Sequence, residues 1–177
     1  MSKVSKLHKE SSPKTIGVYI VTCSTSKFKE IQMKQQPSDE SGDTIEQLTK
    51  NAGHSIIGRK LISDSTPMIR KITKEAFSNP KVDALIITGG TGLSTTDVTY
   101  ESISPILDRE IPGFGELFRK ISYDEIGSAA MLSRVFAGTK KGKVIFCLPG
   151  SPDAVRTAME KLILPELGHL VGLARGH

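Results

Sequence analysis

Apolar residues along the chain form short unbroken runs, separated by stretches in which they recur every three or four positions. Ile16 to Thr22 is one such run, rich in β-branched residues, as expected of a strand buried on both faces. His54 to Ile62, Val82 to Thr88 and Val144 to Leu148 read as further strands. Helical spacing appears between them. Ile45, Leu48, Thr49 and Ala52 precede Gly53, a natural helix stop. Ile69, Ile72 and Ala76 follow Ser65-Thr66-Pro67, where proline suits a first helical turn. Thr99 to Leu107 reads as a helix that Pro105 kinks or ends. Phe114, Leu117, Phe118 and Ile121 make one more apolar stripe, and Val155, Ala158, Met159, Leu162 and Ile163 a closing one. The polar stretch from Ser24 to Gly42, rich in Lys, Gln and Ser, reads as a long exposed loop.

Alternating strands and helices, with strands apolar throughout, predict an α/β fold: a mostly parallel sheet covered by helices on both faces. The second and third strands are expected to be neighbours. Residues 1–14 are polar and read as a flexible arm, and residues 15–177 as one domain. In such folds ligands bind beyond the carboxyl ends of the strands, so a motif matters most when it directly follows a strand.

Composition narrows the function classes. The net charge of +5 favours anionic partners such as nucleotides or phosphorylated metabolites. Nucleic acid is a poorer fit, because aromatic residues are only 5%, Trp is absent, and part of the excess charge sits in Lys3, Lys6, Lys9 and Lys14 of the arm. No apolar run approaches the roughly 20 residues of a membrane span, and the first residues have no leader-like apolar core, so a cytoplasmic protein is expected. Cys23 and Cys147 end apolar runs and read as buried thiols. The four histidines are scattered singly, which argues against a zinc site.

The chemistry-bearing motifs follow strands. Thr88-Gly89-Gly90-Thr91-Gly92 comes straight after the third strand, and its glycines allow backbone amides to approach a phosphate. It is neither a Walker loop nor a dinucleotide fingerprint, since no Gly-Lys-Ser/Thr follows and Thr95 stands where the third glycine belongs. Asp97 lies five residues further on, and Asp64 just past the second strand. Each carboxylate either caps the next helix or, facing the glycine loop, holds Mg²⁺ against a phosphate. Cys23-Ser24-Thr25-Ser26 and Pro149-Gly150-Ser151-Pro152 complete a rim of polar strand-end turns, the latter opening a helix whose N-terminus favours an anion.

These motifs, taken in order with Asp108-Arg109-Glu110, Pro112-Gly113-Phe114-Gly115-Glu116 and Leu132-Ser133-Arg134, resemble those of the MogA/MoaB molybdenum cofactor biosynthesis proteins. Asp39-Glu40-Ser41-Gly42 is similar to the family's Asp-x-Ser-Gly element, and the stretch from Phe114 to Gly138 looks closer to MoaB. The likeness spans roughly residues 15–170. It implies a three-layer α/β/α fold that binds molybdopterin, a pyranopterin with a terminal phosphate. It further implies adenylylation of that phosphate with ATP and Mg²⁺, giving adenylylated molybdopterin and pyrophosphate. Asp64 and Asp97 take the places of the catalytic, metal-holding aspartates. Ser24, Ser41, Gly42, Thr88, Gly89, Gly90, Thr91, Gly92, Glu116, Ser133, Pro149, Gly150 and Ser151 are the residues expected to bind substrate. A trimeric or hexameric homo-oligomer is implied as well. The family's Ser-Asp or Ser-Asn after the first strand is Ser24-Thr25 here.

Three alternatives stand beside that reading. One is a protein that holds molybdopterin without using ATP. Another is a nucleic-acid-binding regulator, suggested by the pI near 9.2. The third is a nucleotide pyrophosphatase, as related domains occur in CinA proteins, though this short chain lacks the extra domain expected there.

Overall fold

The computed structural model describes residues 13–176, so the arm expected over residues 1–14 lies, apart from Pro13 and Lys14, outside them. Six strands form one sheet: β1 (Gly17–Cys23), β2 (Ser55–Ile62), β3 (Ala84–Thr88), β4 (Arg109–Glu110), β5 (Phe136–Lys140) and β6 (Lys143–Leu148). Their spatial order is β2-β1-β3-β6-β5-β4. The first four in that order are parallel, while β5 runs antiparallel to β6 and β4 antiparallel to β5.

Helices cover both faces. Along β3, Ala84 and Ile86 point to one side and Leu85 and Ile87 to the other, because successive side chains of a strand alternate. The first side packs under α2 (Glu40–Asn51), α5 (Pro112–Ile126), α6 (Pro152–Ala158) and α7 (Leu167–Ala174) through Ile45, Phe114, Phe118, Val155 and Val171. The second packs under α3 (Thr66–Ser78) and α4 (Thr99–Ile103) through Ile69, Ile72, Ala76 and Ile103. β1, β3 and β6 are buried on both faces, which is why they carry unbroken apolar runs. The architecture is the three-layer α/β/α expected.

Three features depart from the sequence reading. The Ser24–Gly42 stretch is not one loop: it contains α1 (Thr25–Gln32), and α2 already begins at Glu40. None of the α1 residues is buried, so the helix has no apolar stripe to betray it. β2 and β3 are not neighbours either. β1 lies between them, because the chain runs from β1 through α2 out to the edge and returns under α3 to the opposite side of β1. Finally, the helix expected over Thr99 to Leu107 closes at Ile103, ahead of Pro105 as the proline implied, and a 3₁₀ turn, Ser104–Ile106, leads into the short edge strand β4, which has no period of its own to read.

Candidate functional site

At the carboxyl ends of β1, β3 and β6 the chain opens into a cleft of about 590 Å³ lined by Ser24, Thr25, Asp64, the glycine loop, Asp97, Ser133 and Gly150. Crossover topology accounts for the meeting. Each parallel strand must leave the sheet at the same end, so the turns after β1, β2, β3 and β6 converge there.

The loop after β3 is held from below and left open above. Gly89 N–H donates to Leu148 O at 3.1 Å, Thr88 Oγ1 to Pro149 O at 2.6 Å, and Thr99 Oγ1 to Gly89 O at 2.9 Å. Gly89 and Gly90 both have positive φ, 94° and 65°, a conformation that side chains disfavour. Space forbids them too. A Cβ at Gly89 would lie 2.2 Å from Cys23 O, and one at Gly90 would lie 2.5 Å from Thr99 Oγ1 and 2.8 Å from Asp64 Oδ1. Among the described residues the N–H groups of Gly90, Thr91 and Gly92 donate to no protein acceptor. Three unused amides in one cleft wall suit an anion.

Two carboxylates border this loop. Asp64 Oδ2 accepts from Thr25 N–H at 2.8 Å and from Thr25 Oγ1 at 2.9 Å, and Asp64 N–H donates to Thr25 Oγ1 at 3.1 Å. These bonds pin the first turn of α1 to the turn after β2. They occupy Oδ2, while Oδ1 sits against Gly90. Asp97 Oδ2 accepts from Ser94 N–H at 3.1 Å and lies so close to Gly92 that a Cβ there would approach it to 2.7 Å. Neither aspartate is the helix cap that it also resembled. Ser65 occupies the cap position of α3 and Val98 that of α4, and neither side chain makes a capping bond.

The donor set decides which cation fits. Among the described residues no cluster of three or more His, Cys, Asp and Glu side chains gathers. Cys23 lines the cleft, but burial, followed by the Asp64 charge, pushes its thiol up to about 12, a hydrogen bond to Thr99 notwithstanding. A thiol so protonated is a poor metal ligand. What remains is hard oxygen: two carboxylates and several hydroxyls. Mg²⁺ takes one or two carboxylates and completes its shell with water and phosphate oxygens, so the residues present fit it.

The other residues expected from the sequence fall into three groups. Ser24, Gly89, Gly90, Thr91, Gly92, Ser133, Pro149 and Gly150 line the cleft with the aspartates. Thr88 and Ser151 lie beneath or beside it: Thr88 is fully buried, and Ser151 caps α6, its Oγ accepting from Ala154 N–H at 3.4 Å. Ser41, Gly42 and Glu116 do not line it. Ser41 Oγ donates to Gly150 O at 2.6 Å and so steadies the turn after β6. Gly42 lies under Asp39 and Arg59, where a Cβ would come within 2.3 Å of Asp39 Oδ2. Glu116 faces an adjoining hollow with Arg119, Tyr100 and Arg134.

Sequence reasoning missed the Asp39–Arg59 pair. Arg59 Nη2 lies 2.6 Å from Asp39 Oδ2, Thr22 Oγ1 donates to that same oxygen at 2.9 Å, and Asp43 and Glu46 also reach the guanidinium. The Asp-x-Ser-Gly element therefore also serves as a joint between α2, β1 and β2. The available signal was a capping one, Asp39 three residues before Gly42, whose N–H it accepts at 3.2 Å.

The family described as "Probable molybdopterin binding domain" matches residues 19–169. The chain belongs to this family of MoaB and MogA proteins. Molybdenum cofactor biosynthesis protein B of Bacillus cereus is 45% identical over 92% of this chain and 93% of its own length. A protein of Methanocaldococcus jannaschii named "Probable molybdopterin adenylyltransferase" is 38% identical over 92% of this chain and 96% of its own. A crystal structure of a molybdenum cofactor biosynthesis protein B superposes with a TM-score of 0.85 at 43% identity, covering 94% of this chain and all of that one. For a MoaB/MogA-family member, the cleft between Asp64, Asp97 and the glycine loop is the feature to explain.

Proposed function

We propose that this MoaB-like chain is a molybdopterin adenylyltransferase acting in molybdenum cofactor biosynthesis. The observation that carries the reading is the row of three amides, Gly90 to Gly92, unused among the described residues and bordered by the carboxylates of Asp64 and Asp97. The name of the Methanocaldococcus jannaschii relative supports the same reaction. The transfer moves an adenylyl group: a terminal phosphate oxygen of molybdopterin bonds to the α-phosphorus of ATP, and the bond from that phosphorus to the bridging oxygen breaks. Pyrophosphate leaves.

The chain's own groups have three tasks. The loop amides hold phosphate oxygens where charge gathers, already oriented by the bonds beneath them. Asp64 and Asp97 would hold Mg²⁺, which supplies counter-charge to the departing pyrophosphate. Thr25 fixes the Asp64 carboxylate, and Ser24 and Ser26 border the cleft with further hydroxyls. Positioning of this kind removes much of the entropic barrier of a two-substrate reaction.

The protein works as a homo-oligomer, a trimer or hexamer, in the cytoplasm. An exposed apolar row on α5 and the following turn, Leu117, Ile126, Met131 and Leu132, supports self-association. Among the described residues no helix is long and apolar enough to cross a membrane.

Pyrophosphate release from ATP, Mg²⁺ and molybdopterin tests the reaction. Release that requires all three, and that Asp64→Asn abolishes without unfolding the protein, is the expected result. Tight molybdopterin binding without any pyrophosphate would make the chain a carrier of the pterin instead.

A further inference from the structure

We propose that Arg134 is a positioning residue that straps both ends of the Gly92–Asp97 loop and so sets the place of the Asp97 carboxylate. The proposal rests on the adenylyltransferase reading for its catalytic consequence, though not for its structural one. The loop has little else to hold it. Leu93 is 65% exposed, Ser94, Thr95 and Thr96 are exposed, and the loop's own bonds are local: Asp97 N–H to Ser94 O at 2.9 Å, Ser94 N–H to Asp97 Oδ2 at 3.1 Å, and a contact between the hydroxyls of Ser94 and Thr96.

Arg134 reaches it from a distant part of the chain. Its Nε donates to Gly92 O at 2.8 Å and its Nη2 to Asp97 O at 2.9 Å, while its own N–H donates to Thr91 O at 3.2 Å. Nη1 pairs with the Glu101 carboxylate, and that hydrogen bond holds the Glu101 carboxyl below its usual range. The guanidinium also lies over the Tyr100 ring, 5.5 Å from its centroid, and Tyr100 meets Phe136 edge-on. A planar fork of five donors is the only side chain that spans two carbonyls and a carboxylate at once; an ammonium is a single point with three rotating donors.

This arrangement has a consequence opposite to the obvious one. An arginine beside a phosphate site is ordinarily taken for a phosphate ligand. Here Nε, Nη1 and Nη2 each have a protein partner and the side chain lines the adjoining hollow instead of the cleft, so Arg134 acts through Asp97 and not on the substrate. Ser133, its neighbour in sequence, lines the same cleft, which places the strap at the junction between the 3₁₀ turn Gly127–Leu132 and β5.

Arg134→Lys and Arg134→Gln test this, with Glu101→Gln as a milder third variant should either unfold. Amide hydrogen exchange read on residues 93–98 is the structural readout; steady-state pyrophosphate release at varied ATP and Mg²⁺ is the catalytic one. Loss of hydrogen bonds to a charged group predicts exchange faster by about tenfold or more at Ser94, Thr96 and Asp97, the bonded amides of 93–98, in both Arg134 variants. The rest of the chain should exchange as in the wild type. The kcat should fall by about 10–100-fold in both, as for other partners that orient a metal-holding group, with KM for ATP changing far less. Glu101→Gln should move both readouts the same way by less. Unchanged exchange at 93–98 in both Arg134 variants overturns the strap. So does a Lys variant with wild-type turnover beside a Gln variant that loses ATP affinity, since charge alone would then suffice. If the wild type releases no pyrophosphate, the exchange result still decides the strap, and only the adenylyltransferase reading falls.

Discussion

Replacing Gly90 by Ala adds one methyl group at the centre of the cleft, and the structure allows its cost to be split. The first part is conformational. Gly90 has φ of 65°, and a side chain in that left-handed region costs about 1–2 kcal/mol. Gly53→Ala measures this part alone, because Gly53 has φ of 81° and a Cβ there meets nothing within 4 Å. The second part is contact. The new Cβ would sit 2.5 Å from Thr99 Oγ1 and 2.8 Å from Asp64 Oδ1. Thr99 is fully buried and its hydroxyl is bound to Gly89 O, so pushing it away strands a buried polar group at about 1–3 kcal/mol. Moving Asp64 instead breaks its bonds to Thr25. Gly90→Ala should therefore be less stable than Gly53→Ala by at least about 1 kcal/mol, or some 2–4 °C in Tm for a chain of this size. Urea unfolding of the wild type and both variants gives the difference, and calorimetric titration with ATP and Mg²⁺ gives the functional half. ATP affinity should drop in Gly90→Ala and stay unchanged in Gly53→Ala. Equal destabilisation in the two variants, with ATP affinity intact in both, would refute both the crowding around Gly90 and its place in the site.

Three further expectations follow from the same geometry. Asp97→Asn removes the charge that repels metal-free ATP, so ATP should bind that variant without Mg²⁺ at least as well as it binds the wild type, gain little from added Mg²⁺, and turn over poorly; a wild-type Mg²⁺ effect in titration would end the metal role of Asp97. Asp39→Ala leaves Arg59 and Thr22 without their shared acceptor, though Asp43 and Glu46 still reach Arg59, and should cost about 1–3 kcal/mol in chemical denaturation; a change under about 0.5 kcal/mol would show that the joint carries no stability. Both cysteines are buried and their thiols are raised, Cys23 to about 12 and Cys147 well above its ordinary value, so a thiol reagent at pH 8 should label neither in the native protein and both after unfolding. Rapid native labelling of Cys23 would contradict its burial beside Asp64.

Local chemistry alone settled a good deal about this protein. Buried central strands need apolar residues at every position, so β1, β3 and β6 were legible as unbroken runs, and the motifs after them could be read as one rim because parallel crossovers deliver all such turns to one end. Gly90 and Asp97 stood out by type and spacing, as did Asp64 after β2. The tertiary structure decided what depends on distance. No residue of α1 is fully buried, so no periodicity announced it, and the Thr25–Asp64 bonds make it part of the site. Ser41 and Gly42 read as substrate contacts, and packing shows what their type and spacing did not, a bond from Ser41 to the Gly150 turn and a place for Gly42 under the Asp39–Arg59 joint. The order of strands puts β1 between β2 and β3, and Asp64 still reaches the glycine loop because the turn after β1 hands it across. Arg134 reads in sequence as one more basic residue; it holds the Asp97 loop only because β5, running antiparallel to β6, begins at the end of the sheet where β3 and β6 finish, which sets Arg134 beside Gly92. Pattern encodes which face is buried, whereas partners forty residues apart are chosen by topology and by which groups remain unsatisfied once the sheet has closed.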